Sequence, residues 1–296
     1  MNTRSGFVAI VGRPNVGKSS LLNAFIGEKV AIVSPKPQTT RTRITGVLTN
    51  GEDQMVFIDT PGLHRPRTKL SEYMVRQIED SIGDVDGAIL VTEPTGPIQQ
   101  AERDLIENFK AKKIPAILAF NKIDTLAAKE EMMPKIQAFS TLFDFDHIVP
   151  VSALRGEGVE VLLGLLSGYL QPGPHYFDDD SYTDQPERVI AGEILREKLL
   201  RNLREEIPHG TAVTIEEMKE RPNGDVVDIQ AIIYCEKDSH KGMIIGKNGE
   251  MLKKIASQAR QELEHFLACK VNLQCWVKVK EDWRNREGLM RNFGFN

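Results

Sequence analysis

The stretch GRPNVGKS, residues 12–19, decides the fold of the N-terminal part of the chain. It matches the pattern G-x-x-x-x-G-K-[ST] and lies between an apolar segment, FVAIVG at 7–12, and a helix-like segment that begins at Lys18. In that context backbone N–H groups wrap around phosphates, Lys18 reaches the β- and γ-phosphates, and the Ser19 hydroxyl ligates Mg²⁺. The predicted phosphate-binding loop consists of Gly12, Arg13, Pro14, Asn15, Val16, Gly17, Lys18, Ser19 and Ser20.

Outward from this loop, short apolar strands alternate with helix-like segments. The runs typical of strands are 44–49, 54–59, 86–92, 116–121 and 147–151. The segments with helical periodicity are 70–82, 98–112, 129–143 and 157–170. Near-continuous apolar strands separated by helices indicate a mostly parallel sheet with helices on both faces, in which ligands bind at the carboxyl ends of the strands. The sequence therefore predicts an α/β P-loop domain.

Two further motifs close apolar strands of this domain. DTPG, residues 59–62, places Asp59 where it can hold Mg²⁺ through water and the Gly62 amide near the γ-phosphate. NKID, residues 121–124, supplies a carboxylate, Asp124, that can accept hydrogen bonds from both the N1–H and the exocyclic amine of guanine. Adenine does not offer these donors together, so Asp124 is predicted to select GTP over ATP. The two motifs contribute the candidate nucleotide-binding residues Asp59, Thr60, Pro61, Gly62, Asn121, Lys122 and Asp124.

A fourth motif, SAL, ends the last predicted strand. Backbone N–H groups of Ser152, Ala153 and Leu154 can donate to the guanine carbonyl. A Ser-Ala pair at a strand end is unremarkable by itself. The four motifs in this order predict a site for GTP or GDP with Mg²⁺.

The order of these motifs resembles that of the translation-factor-related GTPases. By this resemblance QTTR, residues 38–41, is similar to their first switch. Thr40 is then implied as the Mg²⁺ ligand that senses the γ-phosphate, with Thr39 as the alternative. The resemblance also implies a segment over 30–43 that orders and disorders with the bound nucleotide. The implied metal-binding residues are Ser19, Thr40 and Asp59.

The position after DTPG lacks a water-orienting glutamine. Ras-like GTPases place Gln there, whereas this chain has Leu63, whose side chain cannot hydrogen-bond water. The adjacent His64 is either a general base or a solvated surface side chain. GTPases of this kind that use potassium carry an asparagine at the position of Asn15, so the resemblance implies K⁺ there; the alternative is that Asn15 only shapes the loop. The candidate catalytic residues are Asn15, Lys18, Thr40 and Gly62.

The C-terminal part of the chain follows a different pattern. Residues 171–188 are rich in proline and acidic residues and are predicted as a linker, or as a turn followed by a solvated segment. An amphipathic segment at 188–208, two strand-like runs, a short helix, the turn GKNG at 246–249, a long helix and a last strand then follow. That order is similar to the type II KH domain, an α+β fold whose GxxG turn approaches the backbone of single-stranded RNA. A plain helix–helix turn is the alternative.

The charge of this part of the chain fits an RNA partner. The net charge of the whole chain is −4, but residues 237–291 contain 12 Lys and Arg against 7 Asp and Glu, a local charge of +5. Such a segment favours a polyanion, and an ordinary solvated surface is the alternative. Glycine is needed in the turn because a Cβ would block close approach to the sugar-phosphate. The candidate RNA-binding residues are Ile245, Gly246, Lys247, Asn248, Gly249, Lys253 and Lys254.

Length and composition fit two domains without a membrane span. At 296 residues the chain exceeds one ordinary core, and domains are predicted at 1–170 and 189–296, on either side of the linker. No stretch reaches the roughly 18 uncharged apolar residues of a membrane span. The N-terminus has no signal-peptide pattern, and the three cysteines lack the Cys-x-x-Cys spacing of a zinc site.

A GTPase of this class with one C-terminal KH domain resembles the Era family over almost the whole chain. The resemblance rests on GRPNVGKSSLLN, PQTTRTRI, DTPGLH, NKID, SAL, IIGKNGEMLKKI and VKVKEDWR. It implies a cytoplasmic, monomeric GTP-hydrolysing factor that binds the 3′ end of 16S ribosomal RNA, acts in small-subunit maturation and can associate peripherally with the inner membrane. The rival interpretations are a signalling or metabolic GTPase whose second domain contacts protein, and a binding module in which GTP is structural.

Overall fold

The chain divides into two units. The structure, a computed structural model, describes residues 3–62, 68–83, 85–222 and 224–295. The first unit groups the described residues of Met1–Ala31, Thr40–Pro66 and Met74–Asp184, and the second those of Ile32–Thr39, Arg67–Tyr73 and Gln185–Asn296. Within the described ranges, no helix is both long enough and apolar enough to cross a membrane.

A mostly parallel sheet forms the centre of the first unit. Its strands are β1 (Arg4–Gly12), β2 (Ile44–Asn50), β3 (Asp53–Asp59), β4 (Gly87–Thr92), β5 (Ala116–Phe120), β6 (His147–Pro150) and β7 (Gln171–Pro172). They are ordered β2-β3-β1-β4-β5-β6, with β7 paired to β1. β2 lies antiparallel to β3 and β7 antiparallel to β1, and the other neighbours are parallel. β4 is buried at every position because both faces of the sheet are covered.

Helices cover both faces of this sheet, as predicted. They are α1 (Lys18–Ile26), α2 (Lys69–Ser81), α3 (Gln100–Lys112), α4 (Met133–Ser140) and α5 (Val159–Leu166). One core contains Leu21 of α1 and Leu162 of α5, and the other contains Phe109 of α3 and Phe139 of α4. The helix predicted over 129–143 is shorter, because Pro134 occupies the first turn of α4 and a 3₁₀ turn precedes it.

Residues 171–184, most of the segment predicted as a linker, belong to the first unit. β7 is already paired with β1. The fully buried Gln54 side chain then fixes the backbone at residues 176–177. Its Nε2 donates to the Phe177 carbonyl (2.9 Å), and its Oε1 accepts from the N–H groups of Tyr176 (2.7 Å) and Phe177 (3.0 Å). This stretch is therefore an ordered strap along the sheet.

The second unit combines a small sheet with helices, three of which pack on one of its faces. Its elements are α6 (Glu187–Asn202), β8 (Ala212–Glu220), β9 (Val226–Cys235), α7 (Asp238–Ile245), α8 (Glu250–Phe266), β10 (Lys270–Val279) and α9 (Glu287–Asn292). The strand order is β10-β9-β8, with β9 parallel to β10 and antiparallel to β8. Leu195 of α6, Ile255 of α8 and Ile233 of β9 share one core. This order of elements confirms the predicted α+β KH fold.

The last helix, α9, has no counterpart in the predicted elements. Trp283 precedes it, is fully buried and donates from Nε1 to the Gly210 carbonyl (2.9 Å). The rings of Phe293 and Phe295 lie 5.4 Å and 5.8 Å from the Trp283 ring. This aromatic contact holds the C-terminal segment on the second unit.

Candidate functional site

The predicted phosphate-binding loop connects the end of β1 to the start of α1. Gly17 has φ 96°, and a Cβ there would lie 2.2 Å from Asn121 Nδ2, so the position requires glycine. Asn121 Nδ2 donates to the Val16 carbonyl (2.8 Å), and its Oδ1 accepts from the Ala153 N–H (3.0 Å). Asn121 therefore joins three of the predicted motifs: the phosphate loop, NKID and SAL.

Lys18 is buried under this loop. Its Nζ donates to the carbonyls of Gly12 (3.1 Å) and Arg13 (3.0 Å). Burial lowers the pKa of Lys18 to about 8, and the nearby Asp59 carboxylate opposes that shift. A buried ammonium held by carbonyl oxygens gains a stronger partner when an anionic phosphate enters the loop.

Ser19, Thr40 and Asp59 converge as the metal prediction requires. Ser19 Oγ donates to Asp59 Oδ2 (2.6 Å) and lies 2.9 Å from Thr40 Oγ1, which is 3.4 Å from the same Oδ2. Burial raises the pKa of Asp59 to about 6, against the opposing effects of Lys18, Ser19, Thr40 and the Thr60 amide. The buried Asp59 Oδ1 has no hydrogen-bond partner among the residues described. Two hydroxyls beside a buried carboxylate with a spare oxygen suit a hard cation such as Mg²⁺.

The two threonines of the predicted first switch point to different places. Thr39 Oγ1 donates to the Lys36 carbonyl (2.7 Å), so its hydroxyl is used within its own segment. Thr40 is buried beside Ser19 and Asp59. The geometry therefore favours Thr40 over Thr39 as the metal ligand.

The guanine end of the site contains a contact that the motifs do not predict. Ser152 is fully buried, and its Oγ donates to Asp124 Oδ1 (2.6 Å) while accepting from the Arg155 N–H (3.2 Å). The sequence assigns Ser152 only a backbone role, but its hydroxyl also orients the carboxylate predicted to read guanine. Leu154 is 85% exposed, so its side chain is not needed to build the site.

Two carboxylates outside the motifs hold the basic residues of the site. Arg13 Nε lies 3.3 Å from Glu102 Oε1, and Arg13 Nη2 lies 3.6 Å from Glu93 Oε2. Glu102 is fully buried and also accepts from Thr92 Oγ1 (2.5 Å). Glu93 accepts from Lys122 Nζ (2.6 Å). The Arg13 guanidinium is therefore engaged at the C-terminal end of β4 and the start of α3.

Lys122 and Arg13 also explain the charge state of Glu93. Burial alone would raise the pKa of this carboxyl. The hydrogen bond and charge of Lys122, together with the charges of Arg13 and Lys135, outweigh burial and hold the pKa below its usual value. Glu93 is therefore ionised throughout the neutral range. Glu93 is brought between Arg13 of the phosphate loop and Lys122 of NKID only by the tertiary structure, so no local sequence pattern predicts its role.

Asn15 and Gly62 lie at the phosphate end of the site. Asn15 is exposed with φ 64°, a conformation that Asn tolerates, so its residue type suits the loop as well as a K⁺ site. A Cβ on Gly62 would lie 2.6 Å from Pro14 Cα, which puts the DTPG backbone directly against the phosphate loop. Leu63 and His64, raised above in connection with hydrolysis, lie outside the described residues.

The turn at 246–249 projects its polar residues from the second unit. Gly246 (φ 75°), Asn248 (φ 52°) and Gly249 (φ 79°) all have positive φ, and Ile244 just before them is buried in the core. A Cβ on Gly246 would lie 2.7 Å from the Met251 Cβ, so this glycine is required by the fold itself. The exposed side chains of the predicted RNA site are Lys247, Asn248, Lys253 and Lys254.

Known families match both units. Residues 7–122 match the family described as 50S ribosome-binding GTPase, and residues 206–284 match the KH domain. The chain is 50% identical over 293 residues to the GTPase Era of Clostridioides difficile, covering 99% of each chain. It is also 50% identical to the GTPase Era of Caldanaerobacter subterraneus, over 100% of this chain and 99% of that one. The chain belongs to the Era family of GTPases.

Solved structures of Era-family proteins are similar along nearly the whole chain. Aquifex aeolicus Era bound to GDP·AlF4⁻ is 39% identical with a TM-score of 0.95, and the match covers 99% of each chain. An Era complex with MgGDPNP and nucleotides 1506–1542 of 16S ribosomal RNA gives 38% identity, the same TM-score and the same coverage. As an Era-family GTPase, this protein hydrolyses GTP to GDP and phosphate.

Proposed function

We propose that this GTPase is a ribosome assembly factor that binds 16S ribosomal RNA near its 3′ end through its KH domain and acts in small-subunit maturation. The observation that carries the proposal is the exposed GxxG turn with its flanking lysines on a KH fold. The Era relative of TM-score 0.95 that holds 16S nucleotides 1506–1542 supports it. The family description for 7–122 names the 50S subunit. We favour the small subunit because that RNA complex resembles the full chain, KH domain included.

In this proposal the GTP site works by positioning and by charge. Lys18 leaves the carbonyls of Gly12 and Arg13 and pairs with the β- and γ-phosphates. Ser19, Thr40 and Asp59 would hold Mg²⁺, which when bound neutralises charge that develops on the phosphate oxygens. Because Thr40 precedes β2 in a loop, it can sense whether the γ-phosphate is present.

RNA crosslinking in cells tests the proposal. The full chain is crosslinked to RNA, and the attached nucleotides are mapped. The expected result is enrichment at the 3′ end of 16S ribosomal RNA, lost when the KH turn is altered. Enrichment on 23S RNA alone would contradict the small-subunit assignment. Absence of any RNA enrichment would favour the rival interpretation, in which the second unit contacts protein.

The guanine selector offers a second test. With Asp124→Asn, the Ser152 hydroxyl donates to the amide oxygen and leaves the NH₂ group toward the base. This NH₂ group cannot accept the hydrogen bonds that the N1–H and the exocyclic amine of guanine donate. It can donate a hydrogen bond to O2 of xanthine. GTP affinity should fall about thirtyfold, corresponding to ~2 kcal/mol, while affinity for XTP rises. Fluorescence titration with both nucleotides measures this.

Ser152→Ala is the matched control for that experiment. It removes the hydroxyl that orients Asp124 but keeps the carboxylate. We expect a smaller loss of GTP affinity and no gain for XTP. Unchanged GTP affinity in Asp124→Asn would refute the assignment of Asp124 to guanine.

Other features that the family resemblance implies are included in the proposal. These are a cytoplasmic location, a monomeric state and a peripheral contact with the inner membrane. Sedimentation of the purified protein tests the monomeric state, and cell fractionation tests the cytoplasmic location and the membrane contact.

A further inference from the structure

The outward face of β10 carries side chains that neither the GTP site nor the GxxG turn uses. β10 is an edge strand, and its odd-numbered residues pack into the core under the helices: Val271, Leu273, Cys275, Val277 and Val279. Because side chains alternate along a strand, the even-numbered residues face away from α6, α7 and α8. They form what we call the outer row: Lys270, Asn272, Gln274, Trp276, Lys278 and, just past the strand, Lys280. Beside Lys278 the same face carries Tyr234 of β9, and Phe293 stacks on Tyr234.

Trp276 is the apolar centre of the outer row. Its side chain is 44% exposed, whereas Trp283 is fully buried. It pairs in register with the apolar Ile232 on β9, so the two side chains lie on the same face of the sheet, and Trp276 leaves surface open to solvent. A flat indole of this kind is a platform on which an unpaired base stacks with little dependence on sequence.

The charge of the outer row complements a polyanion. Lys270, Lys278 and Lys280 are exposed, and the row contains no acidic residue. The acid that faces the same way on β9, Asp228, is already engaged: it accepts from Arg221 Nε and Nη2 and from Asn272 Nδ2, each at 2.7 Å. Lysines at alternate strand positions beside an exposed aromatic ring fit a phosphate backbone with a stacked base.

We propose that the outer row is a second RNA contact surface of the KH domain. An unpaired segment of the RNA held at the GxxG turn stacks a base on Trp276 and passes its phosphates along Lys278 and Lys280. A GxxG turn clamps only about four nucleotides, so a longer RNA must run beyond it. β10 contacts both α7 and α8, the helices that flank the turn, and offers a path from the turn to the sheet edge. The inference rests on the proposed function in that RNA is the ligand.

Intrinsic fluorescence tests the stacking directly, because the two tryptophans report from different environments. The probe is the RNA of 16S nucleotides 1506–1542. It should quench the wild-type protein, and it should leave Trp276→Phe, whose signal comes from buried Trp283, almost unchanged. Trp276→Ala should bind this RNA about tenfold more weakly. Its affinity for an RNA of about four nucleotides, which the turn alone accommodates, should not change.

The lysines are tested by salt dependence. Lys278→Gln with Lys280→Gln should reduce the log–log salt slope by about 1.4, or about 0.7 for each lysine on single-stranded RNA. Lys112→Gln is the matched control, since Lys112 is exposed on α3 of the first unit, and its slope should equal that of the wild type.

The outcomes separate this inference from the proposed function. If Trp276→Ala binds the long RNA like the wild type and no quenching occurs, the outer row is not an RNA surface. In that case, loss of binding in a variant of the GxxG turn would leave the proposed function standing. If the wild type itself binds neither RNA, both proposals fail.

Discussion

Gly249→Asp is expected to abolish RNA binding while leaving GTP binding intact. The substitution places a carboxylate where the sugar-phosphate backbone must approach the turn, so affinity should fall about a hundredfold or more. Beyond its chain neighbours, no described atom lies within 4 Å of the position that a Cβ would take on Gly249, so the new side chain has room. Asp is also among the residues that tolerate φ 79° best, which should keep the turn folded. Fluorescence anisotropy with labelled single-stranded RNA measures the loss.

Gly249→Asn separates charge from shape. Asn has nearly the same shape and the same tolerance of a left-handed conformation, but it carries no charge. It should bind RNA more weakly than the wild type and more tightly than Gly249→Asp. The wild-type affinity should fall with salt, as expected when a few phosphates are neutralised. Normal RNA binding by Gly249→Asp would show that the turn is only a structural connector.

Features encoded by local pattern are those that the sequence predicts well. GRPNVGKS, DTPG, NKID and SAL each combine a strand end with residues whose chemistry matches a nucleotide group. Their predicted positions follow from parallel strands ending at one edge of a sheet. A correct prediction of the sheet topology is therefore enough to predict that Ser19, Thr40 and Asp59 lie close together.

Features that depend on partners distant in sequence are not predictable in this way. From the sequence, Glu102 is predicted as an ordinary residue of the first turn of a helix. In the structure it is fully buried and pairs with Arg13. Gln54 reads as a polar residue in a strand, but it holds the strap at residues 176–177. The Pro- and Asp-rich composition of 171–184 predicts a linker or a solvated segment, and composition does not reveal that its backbone is bonded to the sheet. α9 depends on the burial of Trp283 in the same way.

The structure also narrows the candidates for the charge that stabilises hydrolysis. Arg13 is the arginine of the phosphate loop, and its guanidinium is held by Glu102 and Glu93. Lys18 is predicted to pair with the β- and γ-phosphates. Asn15 lies on the exposed side of the loop, and its side chain carries an amide oxygen. By the family resemblance we expect a potassium ion at Asn15, where it would supply the charge that an arginine supplies in other GTPases.

GTP hydrolysis is therefore expected to be faster in potassium than in sodium at equal ionic strength, by about a hundredfold, the size of effect that one preorganised transition-state donor contributes. Asn15→Gly should remove the difference and leave GTP affinity largely intact, because Lys18 and the backbone amides still hold the phosphates. Glycine is a better variant than alanine here, since Asn15 has φ 64° and alanine would add strain. Arg13→Ala is the control and should keep the potassium effect. Single-turnover hydrolysis rates at saturating Mg²⁺, with the same RNA present, test this prediction. Equal rates in both salts would exclude potassium as the source of the stabilising charge and leave His64 or the bound RNA as the next candidate.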